Sequence, residues 1–76
     1  MGPELPVVTA RKVVATLQRA GFYVHHQVGS HAQLKHPDRP DLRVTVPIHA
    51  RDLPRPVLKN ILRQAELSVD QFIKLL

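Results

Sequence analysis

Between Phe22 and Val46 apolar and polar residues alternate in three short runs, separated only by Val28-Gly29-Ser30 and by Pro37-Asp38-Arg39-Pro40-Asp41. A period of two belongs to β-strands whose faces differ. Connections this short join antiparallel neighbours, because a parallel pair needs a crossover of about a dozen residues or more. The first strand, from Phe22, sets Phe22, Val24, His26 and Val28 on one side and Tyr23, His25 and Gln27 on the other. The second runs from His31 to His36 with Ala32 and Leu34 inward. The third runs from Leu42 to Val46 with Leu42, Val44 and Val46 inward, and Pro47 ends its pairing.

Pairing parity constrains these runs further. Residues directly opposite one another in an antiparallel pair share a face, so Val24 and Leu34 must be matched for both to reach the core. A two-residue Gly29-Ser30 turn puts Val28 opposite His31 and sends Val24 to His31's side. A three-residue loop, Val28 to Ser30, instead sets Gln27 opposite His31, His25 opposite Gln33 and Val24 opposite Leu34, and is the expected connection. A five-residue loop over Pro37–Asp41, rich in turn formers, sets Leu34 opposite Val44, Lys35 opposite Arg43 and Gln33 opposite Thr45. The face turned away from the core then carries Tyr23, His25, Gln27, His31, Gln33, Lys35, Arg43 and Thr45.

Helical signals flank the strands. Residues 1–8, with Pro3 and Pro6, form an extended lead-in. Thr9 is placed to cap a helix in which Ala10, Val13, Val14, Leu17 and Ala20 recur at helical spacing, and Gly21 stops it. After a bend at Pro54 and Pro56, the residues Val57, Leu58, Ile61, Leu62 and Ala65 make a second apolar stripe, with proline tolerated in its first turn. Ser68 and Gln71 form a capping box ahead of a short third helix carrying Val69, Phe72, Ile73 and Leu76. The order predicts an α+β fold: a single domain over residues 1–76, with a three-stranded antiparallel sheet, helices on one face and the other face open. This is the α-β-β-β-α arrangement of double-stranded-RNA-binding domains, with a short C-terminal third helix added.

A chain of 76 residues has one core and cannot enclose a large substrate or cofactor, so any chemistry belongs on an open face. Eleven Lys and Arg against six Asp and Glu give a formal charge of +5, a field that attracts polyanions or acidic proteins. The absence of cysteine removes disulfides, thiolate metal sites and thiol nucleophiles. It suits a cytoplasmic protein, and neither a secretion signal nor a membrane segment is apparent.

On the open face, Lys35 beside Arg43 repels unless something anionic sits between them, and a phosphate would serve. Imidazole is the side chain whose ordinary titration brackets neutrality. His31 could therefore take a proton from a ribose 2′-OH, or deliver one to a leaving 5′-oxygen, without a metal. Gln27 and Gln33 could orient phosphate or base, and Lys35 and Arg43 could offset charge on a pentacoordinate phosphorus. His25, diagonal to His31, is the candidate second partner. His26 and His36 fall on the inner face near its edges, as satisfied half-buried residues. His49 follows the third strand and could line the same groove. No carboxylate or cysteine stands at a spacing that supports a zinc site, and no cofactor is expected. By residue chemistry alone, an exposed strand histidine is more often a solvated or binding residue than a catalyst. A non-catalytic RNA-binding module using the same face is the alternative.

The ordered set Ala20-Gly21-Phe22, Gly29-Ser30-His31, Lys35-His36-Pro37, Val44-Thr45-Val46-Pro47, and Leu58 through Ile61-Leu62-Arg63-Gln64-Ala65 to Leu67-Ser68 resembles the HicA toxin family. The likeness extends from Val7 to Leu76. It implies a small cytoplasmic endoribonuclease that cleaves mRNA, is neutralised by a HicB-type antitoxin and uses His31 as its catalytic residue. Ser30, Gln27, Gln33, Lys35, Arg43 and Thr45 are the candidate RNA contacts. The chain departs from the family pattern twice: Pro56-Val57 replaces the usual Gly-Thr opening the second helix, and Glu66 replaces the usual glycine before the last. The first removes a hydroxyl and a flexible backbone from that helix start. The second bears on how the C-terminal helix docks.

Overall fold

The structure is a computed structural model and describes residues 4–49 and 51–76. Helix α1 spans Ala10–Arg19, strands β1, β2 and β3 span Tyr23–Val28, His31–His36 and Arg39–Pro47, and helices α2 and α3 span Arg55–Ala65 and Val69–Leu75. The strands form one antiparallel sheet in the order β1-β2-β3, the expected α+β arrangement. Met1, Gly2 and Pro3 of the lead-in lie outside the described residues.

The turn between β1 and β2 corrects the expected three-residue loop. Val28 pairs with His31, leaving the two-residue turn Gly29-Ser30. Gln27 pairs with Ala32 and His26 with Gln33, yet Val24 still pairs with Leu34, because the ladder is irregular between Val24 and His26. Parity is restored by a β-bulge in which His25 is the extra residue, rather than by a longer loop. Of the two turn residues only Gly29 has positive φ, at 56°, as a II′ turn requires at its first central position. That turn matches the twist of the flanking strands, which a looser loop does not do as well.

The second hairpin departs in the same way. The five-residue loop is replaced by a turn at Pro37-Asp38, with His36 paired to Arg39, so β3 starts at Arg39 and not at Leu42. Leu34–Val44 and Gln33–Thr45 pair as expected. The ladder then steps from Leu34–Val44 to His36–Arg39, so Lys35 and Arg43 are not matched in register. Both tight turns displace their mismatch into the strands.

The core lies under β2 and β3. Ala32, Leu34, Leu42, Val44 and Val46 are buried against Val13 and Leu17 of α1, Leu58, Ile61 and Leu62 of α2, and Phe72 of α3. Every residue of β1 is exposed, contrary to the half-buried pattern expected of it, and only Phe22 just ahead of the strand enters the core. The lead-in contributes more than its lack of periodicity suggests. Leu5 and Val8 are buried, and the Leu53 N–H donates to the Val8 carbonyl at 2.9 Å, joining the lead-in to the segment before α2.

Local chemistry sets the helix ends. The Thr9 and Ser68 hydroxyls accept from the N–H groups of Lys12 and Gln71, and Gln71 completes the capping box. Thr16 is fully buried on α1, and its hydroxyl donates to the Lys12 carbonyl at 2.7 Å, which is how a polar residue is accommodated there. Both α1 and α2 end in a Schellman pair of hydrogen bonds. In α1 the bonds are Phe22 N–H to Leu17 O and Gly21 N–H to Gln18 O; in α2 they are Leu67 N–H to Leu62 O and Glu66 N–H to Arg63 O. Each needs a left-handed residue, and these are Gly21 at φ 100° and Glu66 at φ 55°. A side chain at Gly21 would be strained and would displace His36, since a Cβ would stand 2.5 Å from its Nε2. At Glu66 only the φ favours glycine.

His36 itself is satisfied at both ring nitrogens. The Asp38 N–H donates to Nδ1 at 3.1 Å, so Nε2 carries the proton and donates to the Ala20 carbonyl at 3.2 Å, with the Phe22 ring edge-on at 5.0 Å. Arg39 ties the second hairpin to the end of α2. It donates through Nε and Nη2 to both carboxylate oxygens of Asp41, and through Nη2 to Glu66 Oε1 at 3.1 Å.

Two outcomes follow from these helix ends and this clamp. Glu66→Gly relieves the left-handed backbone at the loss of one exposed ion pair, and should raise the stability by up to about 1 kcal/mol in thermal melts. The Arg39 hydrogen bonds hold the Asp41 carboxyl below its ordinary value. A lowered folded-state value contributes stability that is complete above the ordinary carboxylate range and lost as pH falls through the lowered value. Urea titrations below about pH 4 should therefore show a shallower acid loss in Asp41→Asn than in the parent. Parallel curves would exclude the linkage.

Candidate active site

The open face of the sheet follows from the register. Because His31, Gln33 and Lys35 alternate with the buried Ala32 and Leu34, their partners Val28, His26 and Tyr23 share their face. Arg43 and Thr45 of β3, alternating with Leu42, Val44 and Val46, lie there too. His31 is exposed at the start of β2, directly after the turn. Its position is held from both sides: Gly29 shapes the turn, and the Ser30 carbonyl accepts from the Ile48 N–H just beyond β3. The same bond brings the chain bearing His49 up to the turn.

The candidates from sequence divide accordingly. His31, Gln33, Lys35, Arg43 and Thr45 are gathered on one face, with Ser30 in the turn beside His31. Gln33, Lys35, Arg43 and Thr45 line a shallow groove of about 250 Å³ whose floor is Leu34 and Val44. Lys35 and Arg43 therefore still flank one space, although they are not paired in register. The Thr45 N–H is occupied, donating to Gln64 Oε1 of α2 at 2.9 Å, which also covers part of the β3 edge.

Gln27 is a correction. Pairing with Ala32 turns it to the helix side, where it lines a separate groove of about 270 Å³ with Val24 and with Arg11, Val14 and Gln18 of α1. It cannot assist His31 from there. His26 is the converse: expected on the inner face, it lies opposite Gln33 on the open one. Val28, also expected inward, is 61% exposed beside His31. His25 is not opposite Gln33 in register. It is the bulged residue, and its ring stands edge-on to Tyr23 with centroids 6.4 Å apart. No parity count over a regular ladder could have found His26. A strand with adjacent histidines ahead of a Gly-Ser turn was the available signal.

The electrostatics of the face are those of free cations. Among the described residues the ion pairs are Arg39 with Asp41 and Arg39 with Glu66, so neither Lys35 nor Arg43 is engaged. Also among the described residues, no group of three or more His, Cys, Asp or Glu side chains is placed to hold a metal ion. An exposed imidazole and unpaired cations on one open face suit a polyanion, which the cations attract.

Comparison with known families decides what kind of protein this is. The family model described as HicA toxin of bacterial toxin-antitoxin matches residues 10–67, from the start of α1 past the end of α2. The chain belongs to the HicA toxin family. No curated protein matches it. Membership makes it the toxin half of a toxin–antitoxin system, with a cognate antitoxin as partner. The match includes both departures noted in the sequence. Pro56 sits in the first turn of α2, where its missing N–H costs nothing, and Glu66 keeps the left-handed geometry of the glycine it replaces.

The turn that presents His31 should be sensitive to the residue at its first position. Gly29 meets nothing within 4 Å at its Cβ site, so only its positive φ resists a side chain. Gly29→Ala should cost about 1 kcal/mol of stability in denaturant titration. A neutral substitution would show that the turn adopts another form.

Proposed function

We propose that this toxin is a cytoplasmic endoribonuclease that cleaves mRNA without a metal, using His31 as general acid or base. The 2′-oxygen attacks its own phosphorus and the bond to the 5′-oxygen breaks, leaving a 2′,3′-cyclic phosphate and a free 5′-hydroxyl. His31 either removes the 2′ proton or protonates the departing oxygen. Lys35 and Arg43, further along the same face, hold neighbouring phosphates of the strand, while Gln33, Thr45 and Ser30 contact it. The cognate antitoxin, of HicB type, would act most directly by covering this face.

The observation carrying this reading is the exposed His31 on the sheet face that the helices leave bare, a face that also carries two cations engaged by no carboxylate among the described residues. An open face also suits a polymer, which a 76-residue chain cannot enclose.

Incubating RNA with the wild type and with His31→Ala tests it. The wild type should generate cyclic-phosphate ends in the presence of EDTA, and the variant should be slower by roughly 10²–10⁴-fold. Expression in a bacterial host should arrest growth only for the wild type. Equal cleavage by both proteins, or cleavage abolished by EDTA, would overturn the mechanism. Salt-sensitive RNA retention without new ends would favour a binding module.

A further inference from the structure

We propose that His26 is the second proton-transfer group of this site, working with His31 across the β1–β2 ladder. The inference rests on the nuclease reading above and assigns the half of the reaction that a single histidine leaves open. Transesterification moves two protons, one off the 2′-oxygen and one onto the 5′-oxygen. A pair of imidazoles, one neutral and one protonated, supplies both within one event.

The geometry comes from the bulge. Val28 pairs with His31 and His26 with Gln33, so His26 and His31 are diagonal neighbours on the open face. Such neighbours in an antiparallel pair are roughly 7–8 Å apart, still within reach of ring side chains. That leaves room for a phosphodiester between the two imidazoles. A regular strand carrying Val24 inward would have turned His26 to the helix side. The extra residue at His25 re-aims it, as bulges beside active sites often do.

His25 is the weaker candidate for the same role. It is the unpaired residue of the bulge, a step further from His31, and its ring is set against Tyr23. His36 is committed at both nitrogens to Asp38 and Ala20. His26 is exposed and, among the described residues, makes no side-chain hydrogen bond, so its replacement should not perturb the fold.

The test is the pH profile of cleavage by the wild type, His26→Gln and His31→Gln. A second substrate carries sulfur in place of the scissile 5′-oxygen, a leaving group that departs without protonation. Wild type should give a bell-shaped profile. His26→Gln should keep its RNA affinity and melting temperature, lose roughly 10²–10⁴-fold in kcat and lose one limb of the bell. The sulfur substrate should rescue one of the two variants and not the other, because only one of the histidines is the acid. Undiminished cleavage by His26→Gln, or a bell that survives the substitution, overturns the inference while leaving His31 in place. Equal loss with the full bell retained assigns His26 to structure and overturns it too. If the wild type itself makes no ends, the nuclease reading fails and this inference with it.

Discussion

In an antiparallel ladder a two-residue turn fixes the face of every residue on both strands, so Gly29-Ser30 commits Val28 to the side of His31. Continued without interruption, that parity would leave Val24 on the open face and a gap beside Leu34. The chain satisfies both demands by spending one unpaired residue, His25, between the turn and Phe22. The segment nearest the turn obeys the turn, and the segment nearest α1 obeys the core. The composition of the open face is thus a consequence of where the bulge falls. One position nearer the turn, and His26 would not face His31.

The bulge sits where the fold can best tolerate it. β1 is exposed along its whole length and pairs only with β2, so distorting it strains no neighbour on its other edge and opens no cavity in the core. β2 lies between two strands and carries buried Ala32 and Leu34. Its ends are tied by His36, bonded to Ala20 and Asp38, and by the Ser30 carbonyl at the turn. His31 therefore starts the most constrained strand, while the residues facing it stand on the most adaptable one.

Much of this was legible in the sequence because burial enforces period. α1 and α2, β2, and the pairs Leu34–Val44 and Gln33–Thr45 follow from which residues must be apolar together. Gly21, Ser68 and Gln71 stand where cap chemistry needs them. The failures share one cause. Parity reasoning assumes a regular ladder, and both hairpins absorb an irregularity to keep a two-residue turn. A regular ladder therefore puts Gln27, His26 and Val28 on the wrong faces and starts β3 too late. Leu5 and Val8 are buried without such a signal, because a single extended segment packed on a core has no period to read. His31, Gln33 and Thr45 keep their common face because β2 and β3 pair regularly from His31–Pro47 to Leu34–Val44, and Lys35 and Arg43 keep it because Leu34, Leu42 and Val44 beside them stay inward.

The division of labour among the cations follows the same geography. Arg39, at the start of β3, is held by Asp41 within its own strand and by Glu66 beyond α2, so its charge serves the fold. Glu66 can do this because its left-handed backbone turns the chain at that point, a geometry the family's glycine would provide without a side chain to answer Arg39. Lys35 and Arg43 lie on either side of the groove on the sheet face, where no carboxylate among the described residues engages them. A carboxylate there would stabilise the free protein slightly and compete with any phosphate for the same cations. Charge left unanswered on this face favours a polyanion or an acidic protein alike.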